Sequence, residues 1–168
     1  CYCKRSIGMW VPFEDLPQSS RVWIFQSDRL LSDSEMKEID DKINFFIGQW
    51  YSHGKPIHGT HNIIYGCFVI VVADEQRQMA SGCSIDSLTE LFKYFGQTYQ
   101  LSFFDRFSIA YKKNNEVYLM TLYSFKEAID SGELDAESKV FNNLISSKLE
   151  LSSSWEVPVK DSWLRRYL

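Results

Sequence analysis

The stretch Cys67-Phe68-Val69-Ile70-Val71-Val72-Ala73 is the longest apolar run in the chain, and its neighbours are read from it outward. It has strand length, far short of the ~18 residues that a membrane-crossing helix needs. β-Branched residues dominate it and no polar residue breaks either face, so it predicts a central strand covered on both sides. Just upstream, His58 to Tyr65 reads as a second strand that reverses into the first near Gly66. Further back, Ser32-Asp33-Ser34-Glu35 has the spacing of a capping box. Met36, Ile39, Ile43, Phe46, Ile47 and Trp50 then recur at three and four, which predicts an amphipathic helix ended by Gly54 and Pro56. Arg21-Val22-Trp23-Ile24-Phe25-Gln26 predicts the first strand, after an extended lead-in from Trp10 to Pro17 with two prolines.

Downstream, the small-residue turn Ser81-Gly82-Cys83 leads into a second helix. Ser87 and Glu90 supply its capping box, and Leu88, Leu91, Phe92 and Phe95 its inner face. Phe104 to Tyr111 and Glu116 to Leu122 predict a hairpin turning at Lys113-Asn114-Asn115. A short helix from Ser124 to Asp130 stops at Gly132, and Lys139 to Leu144 is a last strand before an irregular tail, Ser152 to Leu168. The order through Tyr111 is βαββαβ, which predicts an α+β fold with a ferredoxin-like sandwich core, both helices covering one face of an antiparallel sheet. The C-terminal β-α-β extension then either widens that sheet or covers its other face. Such folds host enzymes, carriers, RNA binders and regulators, so the architecture constrains function little.

With 168 residues, 45% hydrophobic and 15% aromatic, the chain has enough apolar material for one substantial core. Residues 9–168 are expected to form a single α+β domain. Residues 1–8, Cys-Tyr-Cys-Lys-Arg-Ser-Ile-Gly, read as a non-native or upstream leader before Met9, against the alternative of a mature lipoprotein acylated on Cys1. A formal net charge of −4 gives no global electrostatic reason to bind nucleic acid or an anionic membrane. Cys1, Cys3, Cys67 and Cys83 lack the spacing of a disulfide framework, which points to free thiols and a cytoplasmic compartment.

Cys83 is the candidate nucleophile. Near a helix N-terminus, unpaired N–H groups favour an anion, and Ser81, Ser84 and Asp86 lie beside it in sequence. Its base would be His53, His58 or His61, none at a diagnostic spacing. The competing reading is a buried cysteine acting as a small hydrophobe next to a cap. The three histidines suggest a metal only if His58 and His61 leave strand geometry, because residues three apart on a strand face opposite ways; no metal is expected. Gly48 to Pro56 imitates a phosphate loop, with five residues between its glycines and Pro56 where a Mg²⁺-binding hydroxyl belongs. Asp105-Arg106 among Phe103, Phe104 and Phe107 reads as an ion pair at a sheet edge, or as an arginine free to hold an anionic ligand. His53 is a further ligand candidate. The tail Lys160 to Tyr167 mixes basic and aromatic residues, but three cations in an acidic chain are weak grounds for single-stranded nucleic acid.

Several stretches together carry a resemblance: Val11-Pro12-Phe13-Glu14-Asp15-Leu16-Pro17, Arg21 to Gln26, Ala80 to Ser87, and Val140-Phe141-Asn142-Asn143-Leu144. Over Met9 to Tyr167 the chain resembles a small uncharacterised family from Bacteroidota that carries the label "ABC transporter ATPase". The residues hold no Walker A, no Walker B setting and no Leu-Ser-Gly-Gly-Gln signature, so the resemblance implies no ATPase activity. Leu122 to Phe141 is similar to the second half of GYF-like peptide-binding modules, without the Gly-Tyr-Phe motif itself.

The function expected from these readings is a cytoplasmic binding or regulatory protein that acts through a protein partner, with room for a small-molecule ligand and without a cofactor, nucleic acid or membrane. The alternative is a thiol-dependent enzyme or redox sensor built on Cys83.

Overall fold

The computed structural model describes residues 9–168, so the expectation of a leader over residues 1–8 lies outside the described residues. The central apolar strand is β5, Phe68–Ala73, and all six of its residues are buried. It pairs antiparallel with β1, Arg21–Gln26, on one side and with β4, Gly59–Ile64, on the other. Tyr65 and Gly66 make the reversal between β4 and β5 with φ of 57° and 68°. Strand alternation sends β5 side chains to two different cores. Val69, Val71 and Ala73 join Phe25 beneath α1, Asp33–Gly48, and α2, Gly82–Tyr99. Phe68, Ile70 and Val72 join Val22 on the opposite face, against Ala110, Val117 and Phe141 of a second sheet and Trp155 just ahead of its last strand.

That second sheet has the order β7-β6-β8-β9, from Ser108–Lys113 (β6), Glu116–Thr121 (β7), Lys139–Phe141 (β8) and Glu156–Pro158 (β9), all antiparallel. Asn114 and Asn115 close the β6-β7 hairpin with φ of 53° and 63°, a conformation asparagine tolerates well. α3, Leu122–Ser131, covers the far face of this sheet, where Phe125 and Ala128 meet Ile109 and Val140. The molecule is therefore mixed α+β in four layers: the helix pair α1 and α2, the first sheet, the second sheet, then α3. The C-terminal extension covers the other face of the first sheet, and β6 pairs with β7 and β8.

Three local expectations are corrected. The capping box of α2 is formed by Ser81 and Ser84, not Ser87 and Glu90, because the helix starts at Gly82; Ser87 Oγ instead donates to the Cys83 carbonyl within the helix. The segment 51–56 folds back as a small hairpin, β2 (Tyr51–Ser52) with β3 (Lys55–Pro56), around His53 and Gly54 at φ of 51° and 76°. The tail is not irregular throughout: α4, Lys148–Ser153, and β9 pack it onto both sheets, and two 3-10 turns follow. The capping box at Ser32 and Glu35 forms as expected.

Candidate functional site

The structure places the residues of the thiol reading on the first turn of α2. Cys83 is exposed there, which removes the alternative of a buried small hydrophobe. The hydroxyls beside it are engaged with each other: Ser84 N–H donates to Ser81 Oγ at 3.2 Å, Ser81 N–H to Ser84 Oγ at 2.7 Å, and Ser84 Oγ to the Ser81 carbonyl at 2.8 Å. Ser84 is also buried, with its carbonyl accepting the Trp50 indole N–H at 2.9 Å. Asp86 points from the exposed side of the same turn. Among the described residues no hydrogen bond joins Cys83 Sγ to a histidine.

The histidines are dispersed in role. His53 occupies the tight turn between β2 and β3 and is exposed. His61 on β4 turns toward α1, where its Nε2 meets Asp40 Oδ1 at 2.6 Å, and its side chain is only 3% exposed. Burial pushes this imidazole below its ordinary value of 6.5, against the Asp40 carboxylate, which pulls it up. Among the described residues no three His, Cys, Asp or Glu side chains cluster to hold a metal ion. The glycine-rich stretch that imitates a phosphate loop runs through the end of α1 and the β2-β3 hairpin.

Arg106 is the predicted residue that the fold brings into a larger constellation. The loop Phe103 to Phe107, the end of β1 at Ile24 and Gln26, the run from Val140 to Leu144 and the turn at Trp163 and Leu164 enclose an open groove of about 640 Å³ where the two sheets meet. Around it stand Phe104, 46% exposed, Phe107 at 65%, Leu144 at 88% and Trp163 at 46%. Isolated apolar side chains at a surface are ordinary, but four of them around one depression are a feature of interaction sites. Arg106 is exposed and has no ion pair among the described residues, so the expected fork onto Asp105 does not form. Asp105 Oδ1 instead accepts the Phe107 N–H at 2.9 Å.

The framework under the groove is joined by side-chain hydrogen bonds. Trp155 Nε1 donates to Asn143 Oδ1 at 3.0 Å, Asn143 Nδ2 to Gln26 Oε1 at 2.9 Å, and Gln26 Nε2 to the Ser108 carbonyl at 3.0 Å. This amide relay ties β1 to β6 and to the chain after β8, and it satisfies polar groups that the junction would otherwise leave half-buried. The loop itself is pinned at Ser102, whose N–H donates to Asp28 Oδ1 at 3.0 Å, while the Phe104 ring stands edge-on to Phe25 at 6.1 Å. Sequence reading picks out Arg106 but misses Leu144 and Phe107 as surface residues. Both fall in the strands expected over 104–111 and 139–144, whereas β6 begins at Ser108 and β8 ends at Phe141, which leaves the two side chains outside regular structure. No family model, curated protein or solved structure matches the chain.

Proposed function

We propose that this chain is a binding or regulatory module without catalysis of its own, which acts by docking a protein partner at the groove between its two sheets. The observation that carries this reading is the exposure of Phe104, Phe107, Leu144 and Trp163 around one depression on a hydrogen-bonded framework. Aromatic side chains fixed in advance lose little entropy on binding, and truncating a hot-spot aromatic or arginine at the centre of an interface costs about 2 kcal/mol or more. Arg106, without an ion pair among the described residues, suits a carboxylate on the partner. The free thiols Cys67 and Cys83 support a cytoplasmic site of action. The strand order β1-β5-β4 with α1 and α2 supports a ferredoxin-like half, on which the second sheet is layered.

The experiment is affinity purification from the native host at physiological salt, with the wild type, the double variant Phe107→Ser/Leu144→Ser, and Phe45→Ser on the opposite, helical face as control. The reading expects a partner held by the wild type and by Phe45→Ser and lost from the double variant. Recovery of the protein alone, or of the same partner with all three, overturns it.

A second reading keeps one specific observation in its favour: Cys83 is exposed on the first turn of α2. As a redox sensor or thiol enzyme, the protein would use this sulfur as nucleophile with the helix N-terminus stabilising the thiolate. Loss of an oxidant-dependent response in Cys83→Ser would favour it, and an unchanged response would remove it.

A further inference from the structure

We propose that a second cavity, between the first sheet and α4, binds a small organic acid: a carboxylate carried on an apolar body, held by Lys148. The cavity measures about 680 Å³ and lies on the sheet face turned away from α1 and α2. Ile64, Ile70 and Val72 form its floor, and Phe13, Trp155 and Leu151 stand around it. That volume lies within the range of small-molecule sites, which are concave and mostly apolar with a few polar groups that orient the ligand.

The polar group here is unusual. Lys148 opens α4 and is buried, 7% exposed, yet it has no carboxylate partner among the described residues. Residues 1–8 contain no Asp or Glu either. Glu14 and Asp15 belong to the same turn that the ammonium touches, and both point to solvent. The lysine Nζ instead donates to the carbonyls of Phe13 at 2.6 Å and Leu16 at 2.8 Å, and lies 4.3 Å from the centre of the Phe13 ring. Two of its three N–H groups are thereby used and its positive charge is not neutralised. Glu156, the carboxylate that lines the cavity, is already taken by Lys112 at 3.0 Å and by the Tyr65 hydroxyl at 3.0 Å.

A buried cation without a counter-charge is costly, and apolar walls strengthen its attraction for any anion that enters. A ligand carboxylate would accept the remaining N–H in a charge-assisted bond. The side-chain amides of Gln18 and Asn62, also on the cavity and without a partner among the described residues, offer neutral hydrogen bonds. One cation suits one negative charge. A phosphate ester would bring a second charge with nothing to meet it, and the aliphatic floor calls for a hydrocarbon or aromatic body.

The test is an NMR titration of the full chain with sodium octanoate and sodium 4-phenylbutyrate, with 1-octanol as the uncharged counterpart. The expected result is saturable shifts at Ile70, Val72, Leu151 and Trp155 with at least one acid, at an affinity about tenfold or more above that of octanol. Lys148→Met should erase the preference for acid over alcohol. Leu151→Trp, which narrows the cavity and leaves Lys148 in place, should weaken both about tenfold or more, and it decides the matter if Lys148→Met does not fold. Absence of saturable shifts up to low-millimolar acid, equal affinity for octanol and octanoate, or binding unaffected by Leu151→Trp overturns the proposal.

Discussion

Two free thiols sit in opposite surroundings, and their chemistry should differ accordingly. Cys67, fully buried just ahead of β5, has its thiol pushed up to about 12 by burial, whereas Cys83 is exposed on α2. Iodoacetamide at neutral pH, read by peptide mass mapping, is expected to label Cys83 in the folded protein and Cys67 only after denaturation; equal labelling of both in the folded state would contradict the burial. Single residues also set the response to acid. Burial lowers His61 below its ordinary 6.5, so as the pH falls through that value the unfolded chain takes up a proton that the folded chain declines. Stability contributed there is complete above about 6.5 and declines below it. Glu35 acts in a second window: the Arg29 guanidinium, bonded to it at 2.9 and 2.7 Å, and the Ser32 N–H hold its carboxyl at about 2 instead of 4.5. Its contribution is present above 4.5 and is lost as the pH falls toward 2. Urea midpoints measured against pH should therefore drop in two stages, and His61→Gln should remove the upper stage alone. A midpoint flat from pH 7 to 5 in the wild type would contradict the burial of His61.

At the scale of elements, backbone contacts explain what single side chains do not. Gly59 begins β4 where Trp10 bridges it and where its N–H and carbonyl exchange hydrogen bonds of 3.0 Å with Met9 and Val11. A Cβ at this position would collide with the Val72 carbonyl of β5, so Gly59→Ala is expected to cost about 1–3 kcal/mol in a urea titration. Gly82, the first residue of α2, has open space around it, and Gly82→Ala should change stability by less than about 1 kcal/mol, in the stabilising direction. Comparable losses in both variants would contradict this placement. The elements legible in the sequence are those long enough to show a period: α1 by its spacing of three and four, β5 by its unbroken run. The α2 cap is misread because a box of two serines, Ser81 and Ser84, lacks the acidic third position that marks the usual pattern. β9 has three residues and α4 six, too short for any periodicity to declare them, whereas β8, also of three, lies within the longer strand expected from Lys139 to Leu144.

For the whole molecule, the run Cys67 to Ala73 tells correctly that something covers each face of the central strand, and the covering layers are the helix pair and the second sheet. What the sequence leaves open is where the last strands go, because pairing between distant segments leaves no local pattern. The groove is hidden for the same reason: Ile24, Phe104, Leu144 and Trp163 are scattered over the chain and become neighbours only when the second sheet is laid on the first. Arg106 is visible beforehand as a charge among aromatics, but its freedom from Asp105 depends on the turn that Asp105 makes with Phe107. This junction is the surface proposed to meet a partner. Hydrogen exchange of the protein, alone and with the partner it captures, tests that most directly. The account predicts slowed exchange over residues 103–108, 142–145 and 163–164, with α1 and α2 unchanged. Protection confined to α1 and α2, with the junction exchanging as in the free protein, would contradict it.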